Sequence, residues 1–166
     1  GLVDHLEALV DGVDDDRLRI VLYHIPQVAG VGWPVGVVRR LHDAHPDTVV
    51  GIKDSSGDWG TTAAFFGIDG LAVWPGSEAW LLDGLGEGGP GCISATANVN
   101  ASAIAHVVTL HLAGRHDEAA VALGVAREWR AGLGEPLVPA MKRLLAQRLD
   151  DPTWANVRPP FEVVPA

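Results

Sequence analysis

Short apolar runs rich in β-branched residues alternate with longer apolar stretches of helical spacing as far as residue 98, and this alternation most restricts the fold. It is the pattern of successive β/α units. Residues 19–25 read as a buried strand that Pro26 stops, because proline has no amide to give to a ladder. Pro34 suits the first turn of a helix over 34–45, where no amide donor is needed. Residues 49–53 form the next strand, and Asp58 is placed to cap a helix reaching residue 66. A third strand over 71–74 ends at Pro75 and Gly76, residues 78–85 are helical in pattern, and a glycine-rich link over 86–91 leads to a fourth short strand over 92–95. Upstream of all these, Leu2, Leu6 and Leu9 share one helical face.

Beyond Asn98 the pattern is helical only, over 101–113, 117–133 and 137–149, with glycines and Pro136 as separators. The proline-rich tail is expected to pack as an extended segment anchored by Trp154 and Phe161. The chain thus divides into β/α units over 1–98, helices over 99–150 and an extended tail over 151–166.

At 166 residues and 48% hydrophobic composition the chain has material for one globular core. Twenty-one acidic residues against 12 basic ones give a net charge of −9, which disfavours nucleic acid and anionic membranes as partners and leaves small ligands open. The single cysteine, Cys92, excludes an internal disulfide framework and a cysteine-rich zinc site. Residues 1–10 lack the marks of a signal peptide, and no apolar run reaches the ~18 residues that span a bilayer. A soluble, cytoplasmic protein is expected.

Chemistry is concentrated in Val49-Val50-Gly51-Ile52-Lys53-Asp54, where a lysine ends an apolar strand. Val49, Gly51 and Lys53 share one face of that strand, so a barrel interior on that side would hold the ammonium partly desolvated. Desolvation disfavours the charged form, and an uncharged amine can attack a ketone to form a Schiff base. The alternative is a lysine that snorkels to solvent and pairs with Asp54 or Asp58. In Val21-Leu22-Tyr23-His24-Ile25-Pro26, a tyrosine ends the preceding strand. Functional side chains of β/α barrels gather at these C-terminal strand ends, and a phenol there can relay protons. A core tyrosine with its hydroxyl tied to backbone is the competing reading.

Four segments then occur in a telling order: Tyr23-His24-Ile25-Pro26, Gly51-Ile52-Lys53-Asp54, Gly91-Cys92-Ile93-Ser94-Ala95-Thr96-Ala97-Asn98 and Arg158-Pro159-Pro160. Together they resemble the dihydrodipicolinate synthase and N-acetylneuraminate lyase family of pyruvate-dependent class I aldolases. The resemblance implies the C-terminal half of a (β/α)₈ TIM barrel, strands five to eight, followed by a C-terminal helical appendage. It implies that Lys53 forms the imine and Tyr23 relays protons. Ser55, Gly76, Glu78 and the backbone carbonyl of Ile93 match substrate-binding positions. The implied partners are a 2-oxo acid substrate and other copies of the chain, commonly in a tetramer, with no cofactor and no metal.

Two departures from the family pattern stand out. The chain matches only the second half of the barrel and lacks the Gly-Thr-Thr-Gly-Glu type motif that binds the pyruvate carboxylate, so a fragment of doubtful isolated activity is expected. Val28 stands where the synthases place an arginine, which favours a lyase or sugar-acid aldolase over a synthase.

Competing motifs are weaker. Gly84-Leu85-Gly86-Glu87-Gly88-Gly89 has dinucleotide-type glycine spacing, but it follows a helix and precedes a strand, the reverse of a pyrophosphate loop. His42 and His45 lie one turn apart without a third ligand and read as surface histidines. Asp54 and Asp58 lack the later acid of a calcium loop and read as parts of a turn and a helix cap.

Overall fold

The computed structural model describes residues 1–162. It divides into two compact units, the first over residues 1–93 and the second beginning at Ser94.

In the first unit, β1 (Ile20–His24), β2 (Val49–Asp54) and β3 (Ala72–Pro75) form a parallel sheet in sequence order. Parallel neighbours need a crossover, supplied by α3 (Val35–Ala44) and α4 (Trp59–Phe66). The register sets Leu22 beside Ile52 and Ile52 beside Val73, and all three are buried. Val38 and Leu41 of α3, Phe65 of α4 and Leu6 of α1 (Leu2–Val13) join them in one apolar core. Successive side chains of a strand point to opposite faces, so Tyr23, Lys53 and Trp74 line up on the face away from that core.

Local chemistry sets several boundaries. Asp58 caps α4, its carboxylate accepting from the Gly60 and Thr61 amides at 3.1 Å each. Pro26 does more than stop β1: it opens a single helical turn, α2 (Pro26–Ala29), closed by Gly30 at φ 71°. Residues 78–85 form a 3₁₀ turn at Glu78–Trp80 and then α5 (Leu81–Gly86). Gly84 lies within that helix, and a Cβ there would come 2.9 Å from the Pro75 ring, so its glycine permits helix-to-strand contact.

Three expectations are corrected. Residues 92–95 form no strand: Pro90 has no amide, Gly91 has φ 143°, and the stretch is joined to β3 through the Ile93 amide donating to the Pro75 carbonyl at 3.0 Å. His42 is buried rather than on the surface, and its two ring nitrogens contact the Val49 and Asp69 carbonyls at 2.8 and 3.0 Å. The tail holds a 3₁₀ turn at Pro152–Ala155, and Trp154 and Phe161 are exposed rather than anchored. The part of the expected tail over 163–166 lies outside the described residues.

The second unit contains α6 (Ala97–Leu112), α7 (His116–Gly132) and α8 (Leu137–Leu149). α6 begins before the expected 101, and a non-helical Asn100 (φ −143°, ψ 30°) kinks its first turn. Val107 and Leu110 of α6 and Leu123 and Ala126 of α7 are buried, and Arg148 of α8 donates to the Val99 carbonyl at 2.5 Å. No helix among the described residues is long and apolar enough to cross a membrane.

Loss of the α4 cap gives a direct test of the first unit. Asp58→Ala is expected to lower stability by about 1 kcal/mol, read as a reduced urea midpoint with an unchanged slope.

Candidate active site

Tyr23 and Lys53 are direct partners in the β1–β2 register, and the Lys53 Nζ lies 4.0 Å from the centroid of the Tyr23 ring. The side chain of Lys53 is half-buried, whereas Tyr23 remains 46% exposed. Neither carboxylate of the alternative reading takes the ammonium. Asp54 points to the opposite face, where it accepts from the Ser56 amide at 2.9 Å, the Ser56 hydroxyl at 3.0 Å and the Thr62 hydroxyl. Asp58 is occupied by its helix cap.

Burial pushes the Tyr23 phenol up, but hydrogen bonding to Lys53 and Ser55, with the attraction of the Lys53 charge, outweighs it and holds the phenol below its ordinary range. Such a phenol gives up its proton more readily than free tyrosine. At 46% exposure Tyr23 is not a core residue.

Ser55 and Gly76 adjoin this pair. The Ser55 amide donates to the His24 carbonyl at 2.8 Å and the Gly76 amide to the Asp54 carbonyl at 2.6 Å, so both loops continue the sheet's hydrogen bonding past the strand ends. A Cβ on Gly76 would run into the Ser55 hydroxyl and sit 2.8 Å from the Asp54 carbonyl, which explains glycine there. Gln27 of α2 donates to the Ser55 carbonyl at 2.7 Å and ties the turn after β1 to the loop after β2.

Glu78 and Ile93 differ from these. Glu78 is only 1% exposed, and its charge, after burial, is the second cause that pushes the Cys92 thiol up to about 11. Ile93 is held beside the end of β3 by its amide. Val28 is 76% exposed within α2, the helical turn that follows β1. Among the described residues no cluster of three metal-ligating side chains occurs.

His24 on the core side of the strand ends and Trp74 beside Lys53 were not singled out from sequence, and Asp54 was read only as part of a turn or as an ion-pair partner of Lys53. His24 and Asp54 follow Tyr23 and Lys53 and are both buried. Trp74 is the register partner of Lys53 and lies across Gly51, where a Cβ would meet its ring. The period of two applied across the paired strands is the signal that identifies all three.

A parallel β/α half barrel with a lysine and a tyrosine in contact at its C-terminal strand ends defines the class. Residues 1–164 match the dihydrodipicolinate synthetase family, and the chain belongs to that family. It is 31% identical over 159 residues to an uncharacterized DapA-like lyase of Chloroflexus aurantiacus, covering 93% of this chain and 52% of the relative. It is 36% identical over 121 residues to the 4-hydroxy-tetrahydrodipicolinate synthase of Rhizobium meliloti, covering 72% of this chain and 40% of the relative. The crystal structure of dihydrodipicolinate synthase from Agrobacterium tumefaciens superposes with a TM-score of 0.76 at 29% identity, over 99% of this chain and 55% of that one. The chain therefore spans about half the length of the relatives it matches.

Tyr23 is the single tyrosine of the sequence, so absorbance near the phenolate band follows it alone. Its titration midpoint is expected below that of free tyrosine, and Lys53→Met, which removes the ammonium, is expected to move the midpoint up. A midpoint unmoved by that substitution would contradict the contact between the two side chains.

Proposed function

We propose that this chain is the nucleophile-bearing half of a Schiff-base lyase or aldolase acting on pyruvate or a related 2-oxo acid. The observation that carries the reading is the Lys53 ammonium over the Tyr23 ring, with both nearby aspartates engaged elsewhere. In its uncharged form the Lys53 amine adds to the C2 carbonyl. Tyr23 passes a proton to the resulting alkoxide, and loss of water from the carbinolamine leaves the imine. The protonated imine then accepts the electron pair released when the bond between C3 and C4 breaks, becoming an enamine; in the direction of bond formation, loss of a C3 proton gives that enamine, which supplies the pair. Tyr23 suits this proton step because its phenol is held below the ordinary range by Lys53 and Ser55.

Ser55, Gly76, Glu78 and Ile93 complete the substrate-binding set in this proposal. Ser55 and Gly76 adjoin Tyr23, while the burial of Glu78 suits it first to shaping the loop after β3. The exposed, uncharged Val28 favours a lyase or sugar-acid aldolase over a synthase that must bind a second carboxylate.

A second reading, a barrel fragment kept for assembly into a homo-oligomer such as a tetramer, is favoured by Val121 and Val125. These lie one turn apart on α7 and are 70% and 61% exposed.

The two readings separate on one measurement. The chain, alone and joined to the N-terminal half of a relative, is incubated with pyruvate and borohydride and weighed by mass spectrometry. The catalytic reading expects a reduced pyruvyl adduct on Lys53 in the joined form and none in Lys53→Ala. An unmodified Lys53 in the joined form would leave the assembly reading.

A further inference from the structure

We propose that Asp54, with His24 beside it, is a buried positioning residue that sets the contact between Tyr23 and Lys53 from the core side of the sheet. The inference deepens the lyase reading, since it concerns the two side chains to which that reading assigns the chemistry.

Asp54 is a hub. Its carboxylate is buried and accepts three hydrogen bonds, two from Ser56 in the loop after β2 and one from Thr62 in α4. Its carbonyl accepts the Gly76 amide at 2.6 Å from the loop after β3. His24 occupies the matching place on β1 and is the register partner of Asp54. The His24 Nδ1 accepts the Trp33 amide at 2.9 Å, which uses its lone pair and puts the ring proton on Nε2. That nitrogen faces Asp54 Oδ1 at 4.0 Å, a charge–dipole contact longer than a hydrogen bond. The ring itself is fixed by Phe65, edge-on at 5.5 Å between centroids, and by Gly32, where a Cβ would come within 2.7 Å of Cε1.

Because side chains alternate along a strand, fixing residues 24 and 54 into the core fixes the directions in which residues 23 and 53 leave the opposite face. A lysine stem has many rotamers, and the entropy lost in ordering it outweighs what an exposed cation–π contact returns, so that contact does not hold it there unaided. The backbone under Lys53 must supply the rest, and Asp54 is the next residue.

The test uses the titration of the single tyrosine, with Lys53→Met as the reference for a lost contact. Removing an anion near a phenol by itself favours phenolate and moves its midpoint down. If Asp54 acts by position, Asp54→Asn lets Lys53 drift and moves the Tyr23 midpoint up, toward that of Lys53→Met. Thr62→Val keeps the shape of the buried side chain, takes one of three donors from Asp54 and is expected to shift the midpoint in the same direction by less. A midpoint that falls or stays in Asp54→Asn, with circular dichroism unchanged, overturns the proposal. Should Asp54→Asn not fold, an unshifted midpoint in folded Thr62→Val overturns it as well. No pyruvate enters this experiment, so failure to trap an adduct would count against the lyase reading alone.

Discussion

Parallel pairing of β1 with β2 is the constraint on which the rest of the first unit depends. In a parallel sheet every strand ends at the same edge, so residues with no local relation become neighbours once the register is set. Tyr23 and Lys53 are 30 positions apart in sequence and meet only through that register. The same pairing turns Leu22 and Ile52 toward α3 and α4, where they are buried. A slip by one residue would exchange the two faces and lose the core and the strand-end pair together. Core burial therefore maintains the site: the apolar side chains specify the register, and the reactive ones inherit it.

The parts of this arrangement that were legible in sequence are those with local causes. The helix over 137–149 has a proline before it and an uninterrupted apolar pattern, and α8 has those bounds. Asp58 has free amides directly after it, and it caps α4. Lys53 and Tyr23 stood out because a polar side chain ending an apolar run is locally conspicuous. What escaped has non-local causes. His42 resembles a solvent-facing helical residue until the carbonyls of Val49 and Asp69 are brought to it by different segments. The stretch over 92–95 has strand-like composition, but a strand also needs neighbours, and the Ile93 amide with the Pro75 carbonyl is too little to make a ladder. Asp54 read as part of a turn, which is half of its role; the Thr62 hydroxyl that buries it comes from the following helix.

Burial also separates residues that a motif treats alike. Ser55, Gly76 and Glu78 all lie just past strand ends, yet Ser55 acts on the Tyr23 phenol while Glu78 is almost fully covered. Burial first, and the charge of Glu78 second, raise the Cys92 thiol and make that cysteine a poor nucleophile at neutral pH.

On the face that carries Tyr23 and Lys53, Tyr23 and Val21 of β1 are exposed, while Lys53 is half-buried. Parallel sheets are ordinarily covered on both faces, and an uncovered apolar strand at an edge tends to recruit a partner. The exposure bears directly on chemistry. Water competes for the Tyr23 hydroxyl and screens the Lys53 charge, so the interaction between them is far weaker than it would be in a closed interior of lower dielectric. Imine formation needs an uncharged amine, and exclusion of water is what disfavours the ammonium. A second layer over this face would therefore do two things at once, binding a ligand's remaining groups and strengthening the proton transfer proposed for the strand-end pair.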